Sequence, residues 1–461
     1  MKKLSIMMLG LIFVLAGCGG SGGTAGSAAP VQPAPAAAPA NASANTGTSE
    51  PAPVSPPAND PVAEGTDPSE TAPAGFALEG YAPPGPAGTQ SNAGATVALL
   101  ESDAMRALPA PAGPERMDLY VSPNGSDNNK GGARDAFRSI DKAAKAAKPG
   151  TRIFVAPGVY SGGFRTSADG NQNARITYIS TTRWGARIVP PRNSPNKVAW
   201  DNRGSHVDIV GFEVDGSNHQ GGKRWMHGIY NGGSHVSIRR NHVHHIARES
   251  GCDSGGGAAI GVDSYYGGVK ADVIANLVHD IGPAGCRFVQ GIYVSTSGRV
   301  KNNVVYRVAE GAIHLWHDAN HVIITNNTVT ESNTGIIVGG GDFYHSSKGN
   351  DNTAVYSNIV YANKMGISEQ GKTGPNNTYR NNLVHNNSDY NWRLKNGLQH
   401  TGTVSAAPAF VANARSSEPN LKLSAGSPAI GTATPEQAES TDFEGKARDA
   451  HAGFDIGAYQ H

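Results

Sequence analysis

One short motif recurs six times between residues 241 and 385 and constrains the fold more than any other feature of the chain. It consists of an asparagine, any residue, a valine and a polar or aromatic residue, with copies at Asn241, Asn276, Asn303, Asn327, Asn358 and Asn382. Successive copies are 35, 27, 24, 31 and 24 residues apart. Repeats of this length indicate stacked supersecondary units. The uneven spacing predicts coils with a constant core and outward loops, and the asparagines predict an amide ladder along the stack.

Short apolar strands recur between the copies of this motif. Aligned on their isoleucines, they give an inward column of Ile229, Ile260, Ile292, Ile313, Ile336 and Ile367. A second inward column follows two residues later, with Val262, Val294, Leu315 and Val338. Strand side chains alternate between faces, so the residues between these columns point outward. One coil alone cannot bury such columns, and we therefore predict an all-β parallel solenoid of nine or ten stacked coils.

The N-terminus carries a targeting signal that is separate from the repeats. Lys2 and Lys3 precede a short apolar segment at residues 4–15. The sequence Leu15-Ala16-Gly17-Cys18 then resembles a bacterial lipobox. This resemblance implies a signal peptide over residues 1–17 and lipidation of Cys18. Since Gly19 rather than aspartate follows the cysteine, it implies an outer membrane lipoprotein that faces the periplasm or the cell exterior. The alternative is an ordinary secretory signal with a chance cysteine.

Residues 18–115 have a different composition, dominated by Ala, Pro, Gly and Ser. Such a segment cannot bury enough apolar surface to offset the entropy of ordering it. We expect a disordered tether that separates the lipid anchor from one folded domain at residues 116–461. No long apolar run follows the N-terminus, which excludes a multi-pass membrane protein.

The charge of the folded part points to a class of ligand. Residues 116–461 hold 35 Lys and Arg against 28 Asp and Glu, together with all 16 histidines. This excess is too small and too dispersed for a nucleic-acid-binding protein. It suits an anionic ligand, and we expect a monomer.

The start of the folded domain resembles a known family. A short strand at residues 119–121 precedes a helix candidate with Phe137, Ile140, Ala143, Ala144 and Ala147 on one face, which Pro149 and Gly150 end. The segment Val155-Ala156-Pro157-Gly158-Val159-Tyr160 follows. This order resembles the N-terminal entry of the pectate-lyase-like proteins, and residues 455–459 resemble their closing strand. The resemblance implies a right-handed, single-stranded parallel β-helix with an N-terminal helix cap, and an activity like that of polysaccharide lyases or epimerases.

Two outward columns follow from the same strand alignment. One column holds Tyr230, Gly261, Tyr293, His314, Ile337, Ser368 and Arg393. Its neighbour holds Gly232, Asp263, Ser295, Trp316, Gly339, Gln370 and Lys395. Aromatic rings stack on sugars and cations bind carboxylates, so these columns predict a carbohydrate site. Gly261, Gly339 and Gly340 leave room for the floor of a cleft.

The outward columns also provide the groups that β-elimination on a uronate requires. We assign His314 as the base, Tyr293 as the acid, and Arg393 and Lys395 as the cations that neutralise the substrate carboxylate. Lys395 is three coils from His314, at about 14 Å, and can instead bind a flanking sugar. We assign substrate binding to six further residues: Trp316, Asp263, Tyr230, His227, His317 and Gln370.

Two function classes remain open from the sequence. The first is an enzyme that acts on acidic polysaccharide by β-elimination or C5 epimerisation. The second is a non-catalytic polysaccharide-binding or envelope-matrix protein on the same scaffold. Glycoside hydrolysis is disfavoured because it normally uses two carboxylates, and only Asp263 is placed securely on the outer face.

The remaining histidines, acidic residues and cysteines are candidates for metal binding and for a disulfide. His314 and His317 point to opposite faces of a strand, which argues against zinc there. Calcium is common among pectate-lyase-like enzymes, but the candidate ligands Asp253, Asp263 and Asp318 match no known calcium loop. The histidines of the Asn-x-Val repeats are expected to lie elsewhere on the coils: His242, His244, His245, His279 and His385. Cys252 and Cys286 both precede consecutive strands, and we predict that they form a disulfide in an oxidising compartment.

Overall fold

The computed structural model of the protein describes residues 116–252, 255–412, 419–449, 451 and 453–461. The predicted signal peptide at 1–17, the tether at 18–115 and the lipidation site Cys18 lie outside these residues. Within the described ranges, no helix is both long enough and apolar enough to span a bilayer.

The described residues form three parallel sheets and one short helix. Sheet 1 contains β1 Asp118–Val121, β2 Arg152–Val155, β5 Ile176–Ser180, β8 Val207–Val210, β11 Val236–Arg239, β14 Ala271–Ile274, β17 Gly298–Lys301, β20 Val322–Thr325, β23 Ala354–Tyr356, β26 Thr378–Arg380 and β29 His400–Thr401. Sheet 2 contains β3 Gly158–Ser161, β6 Ala186–Val189, β9 Glu213–Asp215, β12 His242–His244, β15 Leu277–Ile281, β18 Val304–Val308, β21 Thr328–Thr330, β24 Ile359–Tyr361 and β27 Leu383–His385. Sheet 3 contains β4 Phe164–Thr166, β7 Val198–Asn202, β10 His227–Asn231, β13 Gly257–Val262, β16 Val289–Val294, β19 Gly311–Leu315, β22 Thr334–Gly340, β25 Met365–Gly371 and β28 Tyr390–Arg393.

The chain visits the three sheets in a fixed order. Each turn of the solenoid adds one strand to sheet 1, then one to sheet 2 and one to sheet 3, and each strand pairs with the corresponding strands of the coils before and after it. The described residues complete nine such coils, as the sequence predicts. The architecture is the right-handed parallel β-helix, the hand that parallel crossover connections adopt.

The core is a set of stacked apolar columns. Ile229, Ile260 and Ile292 are register partners on sheet 3, and the column continues through Ile313, Ile336 and Ile367. Each of these isoleucines is completely buried. On sheet 2 the valines of the repeat motif form a parallel column: Val243, Val278, Val305, Val329, Val360 and Val384. Both predicted inward columns of sheet 3 are confirmed.

The repeat asparagines form the predicted ladder at the turn from sheet 1 to sheet 2. The side-chain amide of Asn276 donates to Oδ1 of Asn303 at 3.0 Å, and the same Oδ1 accepts the backbone N–H of Asn276 at 2.9 Å. The pattern repeats from Asn241 to Asn382. The residue before each asparagine has a left-handed backbone, for example Ala275 at φ 55°. The ladder thus satisfies the polar groups of a tight buried turn.

The helix α1, Ile140–Ala146, covers the N-terminal end of the core. Its N-cap Ser139 accepts from the backbone N–H of Lys142 at 3.1 Å and donates to Asp127 at 2.8 Å. Ile140, Ala143 and Ala144 are buried. Phe137 is also buried but precedes the helix, and the helix cap is confirmed.

The predicted disulfide joins Cys252 to Cys286, with Cα atoms 5.3 Å apart. Both cysteines lie between sheet 2 and sheet 3, on consecutive coils. The bond therefore links the loops that lead into β13 and β16.

The C-terminal segment differs from its expected form, because the described part of residues 449–461 contains no strand. It packs as an extended tail, with the Gly457 N–H donating to the Ser357 carbonyl at 2.8 Å. Ile456 is buried in a small cluster with Ile359 and Leu383, on the outer face of sheet 2. Apolar outward residues on that sheet are thus covered by the tail rather than by another strand.

Candidate functional site

The predicted outward column of sheet 3 has the expected register. Tyr230 pairs with Gly261, Gly261 with Tyr293, and Tyr293 with His314. The column then continues through Ile337, Ser368 and Arg393. Neighbouring strands are about 4.8 Å apart, so the first four residues span less than 15 Å. We call the surface formed by Tyr230, Tyr293, His314 and Trp316 the aromatic face.

His314 is the central polar group of the aromatic face. Its ring packs edge to face against Tyr293 at 5.3 Å between centroids, and lies 5.6 Å from the ring of Trp316. Both ring nitrogens are shielded from solvent and have no hydrogen-bond partner. Burial lowers the pKa of His314 to about 3, with a smaller contribution from His317. The imidazole is therefore neutral at physiological pH and carries an unused lone pair.

Tyr293 lies beside His314 with a protonated hydroxyl. Burial, together with nearby Tyr344 and Asp263, raises the pKa of Tyr293 far above its ordinary value. A phenol of this kind can donate a proton but does not ionise near neutral pH. The pair therefore combines a neutral imidazole with a proton donor.

A second group lies on the other side of Gly261. The Tyr230 hydroxyl donates to Asp263 at 2.9 Å, and the other oxygen of Asp263 accepts from the Ser295 hydroxyl at 2.6 Å. The His227 ring lies edge to face against Tyr230 at 5.4 Å, and its Nδ1 is buried without a partner. Burial lowers the pKa of His227 to about 4. A neutral histidine with an unused nitrogen thus lies beside Gly261, and His314 lies two strands away, beyond Tyr293.

Gly261 forms the floor of a gap between these two groups. A Cβ atom placed there would meet Tyr230 at 3.6 Å and His227 Nδ1 at 3.8 Å, so the position is open but narrow. Tyr230 and Tyr293 are two strand spacings apart, about 10 Å. We call this gap the Gly261 slot. The slot is bounded by Tyr230 on one side and Tyr293 on the other.

Gly339 does not leave room for a ligand, contrary to the sequence interpretation. An ideal Cβ at Gly339 would lie 2.9 Å from the Trp316 ring, and one at Gly341 would lie 2.6 Å from it. At Gly340, the Lys372 carbonyl would be 3.0 Å away. The Trp316 indole itself fills the space over Gly339 and Gly341, and its Nε1 donates to Asp342 at 3.2 Å.

A loop between β22 and β23 adds residues that sequence reasoning missed. Asp318 Oδ2 accepts the backbone N–H of His345 at 3.0 Å, and the His345 ring donates to the Ser264 carbonyl at 2.7 Å. Tyr344 donates to His317 Nε2 at 2.6 Å. His317 also donates through Nδ1 to the Asp342 carbonyl at 2.7 Å, so both nitrogens of His317 are occupied. In the sequence, these residues are marked only by the aromatic segment Phe343-Tyr344-His345, which follows Gly339-Gly340-Gly341 and Asp342.

Arg203 is a second residue that sequence reasoning missed. Its guanidinium lies over the rings of Tyr266, at 3.7 Å, and Tyr230, at 4.9 Å. It also pairs with Asp201 at 2.5 Å. Arg203 follows β7 directly, and no motif in the sequence distinguishes it.

Arg393, Lys395 and Gln370 lie away from the His314 and Tyr293 pair. Arg393 is three strand spacings from His314, about 14 Å, and is exposed over the ring of Tyr390 at 4.1 Å. The Lys395 ammonium donates to the Gly371 carbonyl. Gln370 donates to the Ser368 hydroxyl at 3.1 Å. Arg393 and Gln370 line an open cavity of about 690 Å³, with Arg287, Glu310, Lys364 and Glu369.

The candidate calcium ligands do not fit a calcium site. Asp253 lies outside the described residues. Both oxygens of Asp263 accept from protein donors, and Asp318 accepts three backbone N–H groups from residues 344–346. Among the described residues, neither carboxylate belongs to a group of three or more potential metal ligands, and we derive no step through calcium.

Comparison with known proteins gives short or distant similarities. Residues 123–165 match a family described as a protein of unknown function, DUF1565. An uncharacterized protein of Bacillus subtilis strain 168, YwoF, is 27% identical over 136 residues, which cover 28% of this chain and 29% of that protein.

Among solved structures, the pectate lyase Pel9A aligns with a TM-score of 0.42 and 16% identity, over 76% of this chain and 98% of that one. XylC in complex with xylose aligns with a TM-score of 0.43 and 13% identity, over 62% and 68%. A rhamnogalacturonan lyase aligns with a TM-score of 0.36 and 14% identity, over 69% and 97%. The three sheets seen directly in the structure establish the architecture: the chain is a right-handed parallel β-helix protein.

Proposed function

We propose that the Gly261 slot binds a uronate residue of an acidic polysaccharide and removes its C5 proton. The observation that carries this proposal is a set of unused ring nitrogens along one sheet face: Nδ1 of His227 beside the Gly261 slot, and both nitrogens of His314 one strand beyond Tyr293. A buried polar atom without a partner costs roughly 1–3 kcal/mol. Such atoms are rare in folded proteins, and perturbed titratable groups concentrate at functional sites.

In β-elimination, a nitrogen of His314 takes the C5 proton, and the electrons of the C–H bond form a double bond between C4 and C5. The bond from C4 to its oxygen breaks, and Tyr293 donates a proton to that oxygen. Its raised pKa keeps the hydroxyl protonated for this role. In C5 epimerisation, the first step is the same, but a proton returns to C5 from the opposite face.

A pKa near 3 makes His314 a weak base in the free protein. The bound uronate carboxylate raises the pKa of a nearby imidazole by opposite-charge attraction. Substrate binding therefore activates the base. Both ring nitrogens of His314 are shielded in the free protein. The proposal therefore requires the ring to rotate about its Cβ–Cγ bond, so that one nitrogen reaches the substrate.

Cations around the slot divide between two regions. Arg203, over Tyr230, is the guanidinium in contact with the aromatic face and attracts the polymer to the slot. Arg393 and Lys395 lie about three strand spacings from His314, and we assign them to flanking sugar units instead of the reacting carboxylate.

The test is turnover of a panel of polymers, namely polygalacturonate, alginate and neutral xylan, by the purified protein. Elimination is read from absorbance of the unsaturated product, and epimerisation from deuterium incorporated at C5 in D₂O. We expect product from a uronate polymer and none from xylan.

A non-catalytic polysaccharide-binding protein is the second candidate. The exposed rings of Tyr265 and Tyr266 favour it, because exposed aromatic pairs bind sugars by stacking without chemistry. Saturable binding of a uronate polymer, with neither product formed, would select this alternative.

We also propose that the protein is a monomeric outer membrane lipoprotein, anchored through Cys18, with residues 18–115 as a tether. The lipobox sequence supports this proposal. Cys18→Ser should abolish processing of the precursor or release the protein from membranes. Normal maturation and unchanged membrane fractionation of that variant would contradict it.

A further inference from the structure

Four histidines cluster on the outer face of sheet 2, on a different sheet from the aromatic face. His242 and His244 lie on β12, His245 follows them, and His279 lies on β15 as the register partner of His244. The Nε2 atoms of His242 and His279 are 2.7 Å apart. The rings of His244 and His279 are stacked with centroids 5.1 Å apart. Stacking of two coils thus brings these rings together.

Carboxylates surround this histidine cluster on both sides. Glu213 on β9 lies one coil earlier, with Oε1 3.0 Å from Nε2 of His244. Asp280 accepts from Nδ1 of His279 at 2.7 Å. Arg307 and Arg248 both pair with Asp280, at 2.9 Å, which balances its charge.

The contact between His242 and His279 is the informative one. Because His279 donates through Nδ1 to Asp280, a neutral His279 ring carries its lone pair on Nε2. That lone pair faces Nε2 of His242 at 2.7 Å. In the metal-free protein the Nε2–H tautomer of His242 donates a hydrogen bond to this lone pair, and a metal ion can replace that proton.

We propose that His242, His244 and His279 bind one divalent transition metal ion, with Zn²⁺ as the reference ion. One nitrogen from each of the three rings lies within 4.8 Å of the others. Zinc–nitrogen bonds of about 2.0–2.1 Å place tetrahedral ligand atoms about 3.4 Å apart, so His242 and His279 separate by less than 1 Å on binding.

The surroundings of His279 match those of a metal ligand. A metal-bound imidazole usually donates its other N–H to a carboxylate, which fixes the tautomer and orientation of the ring. Asp280 makes this contact. Three imidazole ligands suit Zn²⁺ and related ions better than Ca²⁺ or Mg²⁺, which prefer oxygen ligands.

A second arrangement uses Asp215, His244 and His245, whose ligand atoms also lie within 4.8 Å of one another. Asp215, however, is paired with Arg187 at 2.6 Å, and a metal ion would have to displace that guanidinium. We therefore place the ion between His242 and His279, and His245 serves to distinguish the two arrangements.

Bound metal would connect two successive coils, through β12 and β15. The disulfide between Cys252 and Cys286 links the loops that follow these two strands. An ion that binds only the folded state stabilises it by mass action. The expected role is a cross-coil link on a sheet separate from the proposed polysaccharide chemistry.

The experiment uses the full chain without a histidine tag, stripped with EDTA and titrated with Zn²⁺ by calorimetry. Titration with Co²⁺ and its visible absorption reports the ligand geometry. We expect one equivalent of Zn²⁺ with a Kd of about 1 μM or tighter, and tetrahedral Co²⁺ bands. His242→Gln and His279→Gln should each weaken binding by about a hundredfold, and Asp280→Asn by about tenfold.

The matched control is His206→Gln, which alters another stacked histidine pair, His206 and His235, with centroids 4.7 Å apart. It should leave the Zn²⁺ affinity unchanged. His245→Gln should change the affinity by less than about threefold. Absence of saturable Zn²⁺ binding by the intact chain would overturn the proposal. So would loss of binding in His245→Gln with full binding in His279→Gln, since this places the ion at the second arrangement.

Discussion

Two groups of buried histidines lie on different sheets of this β-helix and differ in what their nitrogens contact. On sheet 3, both nitrogens of His314 and Nδ1 of His227 have no partner. On sheet 2, the nitrogens of His242 and His279 face each other, and Asp280 holds the other nitrogen of His279. Burial lowers the pKa of the ring in both groups. Neutral imidazole is thus common to both sheets, and the surrounding partners distinguish the ring that we propose faces substrate from the rings that we propose bind metal.

The partners differ because the neighbouring strands supply different residues. Next to His314, the column continues with Ile337 and Tyr293, which offer an apolar side chain and an aromatic ring. Next to His244, it continues with Asp215 and His279. A β-helix therefore sets the chemistry of each outward side chain by what the preceding and following coils place beside it.

The largest expected effect is on turnover, when one histidine of each sheet is replaced by glutamine in separate variants. His314→Gln should reduce turnover of a uronate polymer by about a hundredfold or more, because it removes the base. His279→Gln should leave turnover unchanged while it weakens zinc binding. The measurement is the rate of unsaturated or C5-deuterated product. Equal loss of turnover in both variants would contradict the proposal that the histidines of sheet 3 and sheet 2 have different roles.

Removal of the disulfide tests whether the loops between sheet 2 and sheet 3 contribute to stability without affecting turnover. Cys252→Ser with Cys286→Ser should lower the free energy of unfolding by about 2–4 kcal/mol, since it frees a loop in the unfolded chain. Turnover at moderate temperature should persist, because the bond lies before β13 and β16 and not in the slot. Urea unfolding gives the stability, and the wild-type chain under reducing conditions is the control. An unchanged unfolding midpoint would contradict the expected stabilisation.

Lowering the pH should reduce the free energy of unfolding, because His314 on the aromatic face is held neutral in the folded protein. The folded pKa of His314, about 3, is below the unfolded value of 6.5, so the unfolded chain binds more protons between these values. Stability is therefore lost as pH falls from 6.5 toward 3, by at most about 2 kcal/mol at pH 5 for this residue. His314→Gln should remove that part of the pH dependence, as measured by urea unfolding at pH 7 and pH 5. His385→Gln, on sheet 2, should retain it, and parallel pH curves for wild type and His314→Gln would contradict the prediction.

The smallest effect is expected from narrowing the slot. Gly261→Ala adds a methyl group at ordinary contact distance from Tyr230, so stability should change by no more than about 0.5 kcal/mol. Affinity for a uronate oligosaccharide should fall several-fold, because the methyl group occupies the floor. Gly339→Ala is the comparison, since its methyl group would collide with Trp316 and lower stability instead. Unchanged affinity in Gly261→Ala would show that the sugar binds elsewhere.

The columns and the ladder were predictable because they repeat. Alternation along a strand fixes which side chain faces inward, and Ile229, Ile260 and Ile292 identify the alignment. The same reasoning gave the outward order from Tyr230 to Arg393 and the loop positions of the two cysteines. It also gave the spacing that puts Lys395 three coils from His314, whereas the equal distance of Arg393 became plain only from the register of the strands.

The contacts across loops were not predictable in the same way. Tyr344 and His345 reach the site through a loop whose path depends on Asp318, and no periodicity describes that path. Part of the histidine cluster could be predicted from the sequence, because aligning Asn241 with Asn276 places His244 beside His279. Glu213 was hidden, since Phe212 stands where the repeat asparagine would be, and the motif does not mark that coil.

The asparagine ladder has a consequence for how such a protein can change over evolution. From Asn241 to Asn382 each coil is aligned to the next by the same amide contacts, although the intervening chain varies from 24 to 35 residues. Alignment between coils is therefore independent of loop length. Insertions or replacements between sheets can alter what the protein recognises while every later coil keeps its position, so new specificities can arise one loop at a time on an unchanged frame.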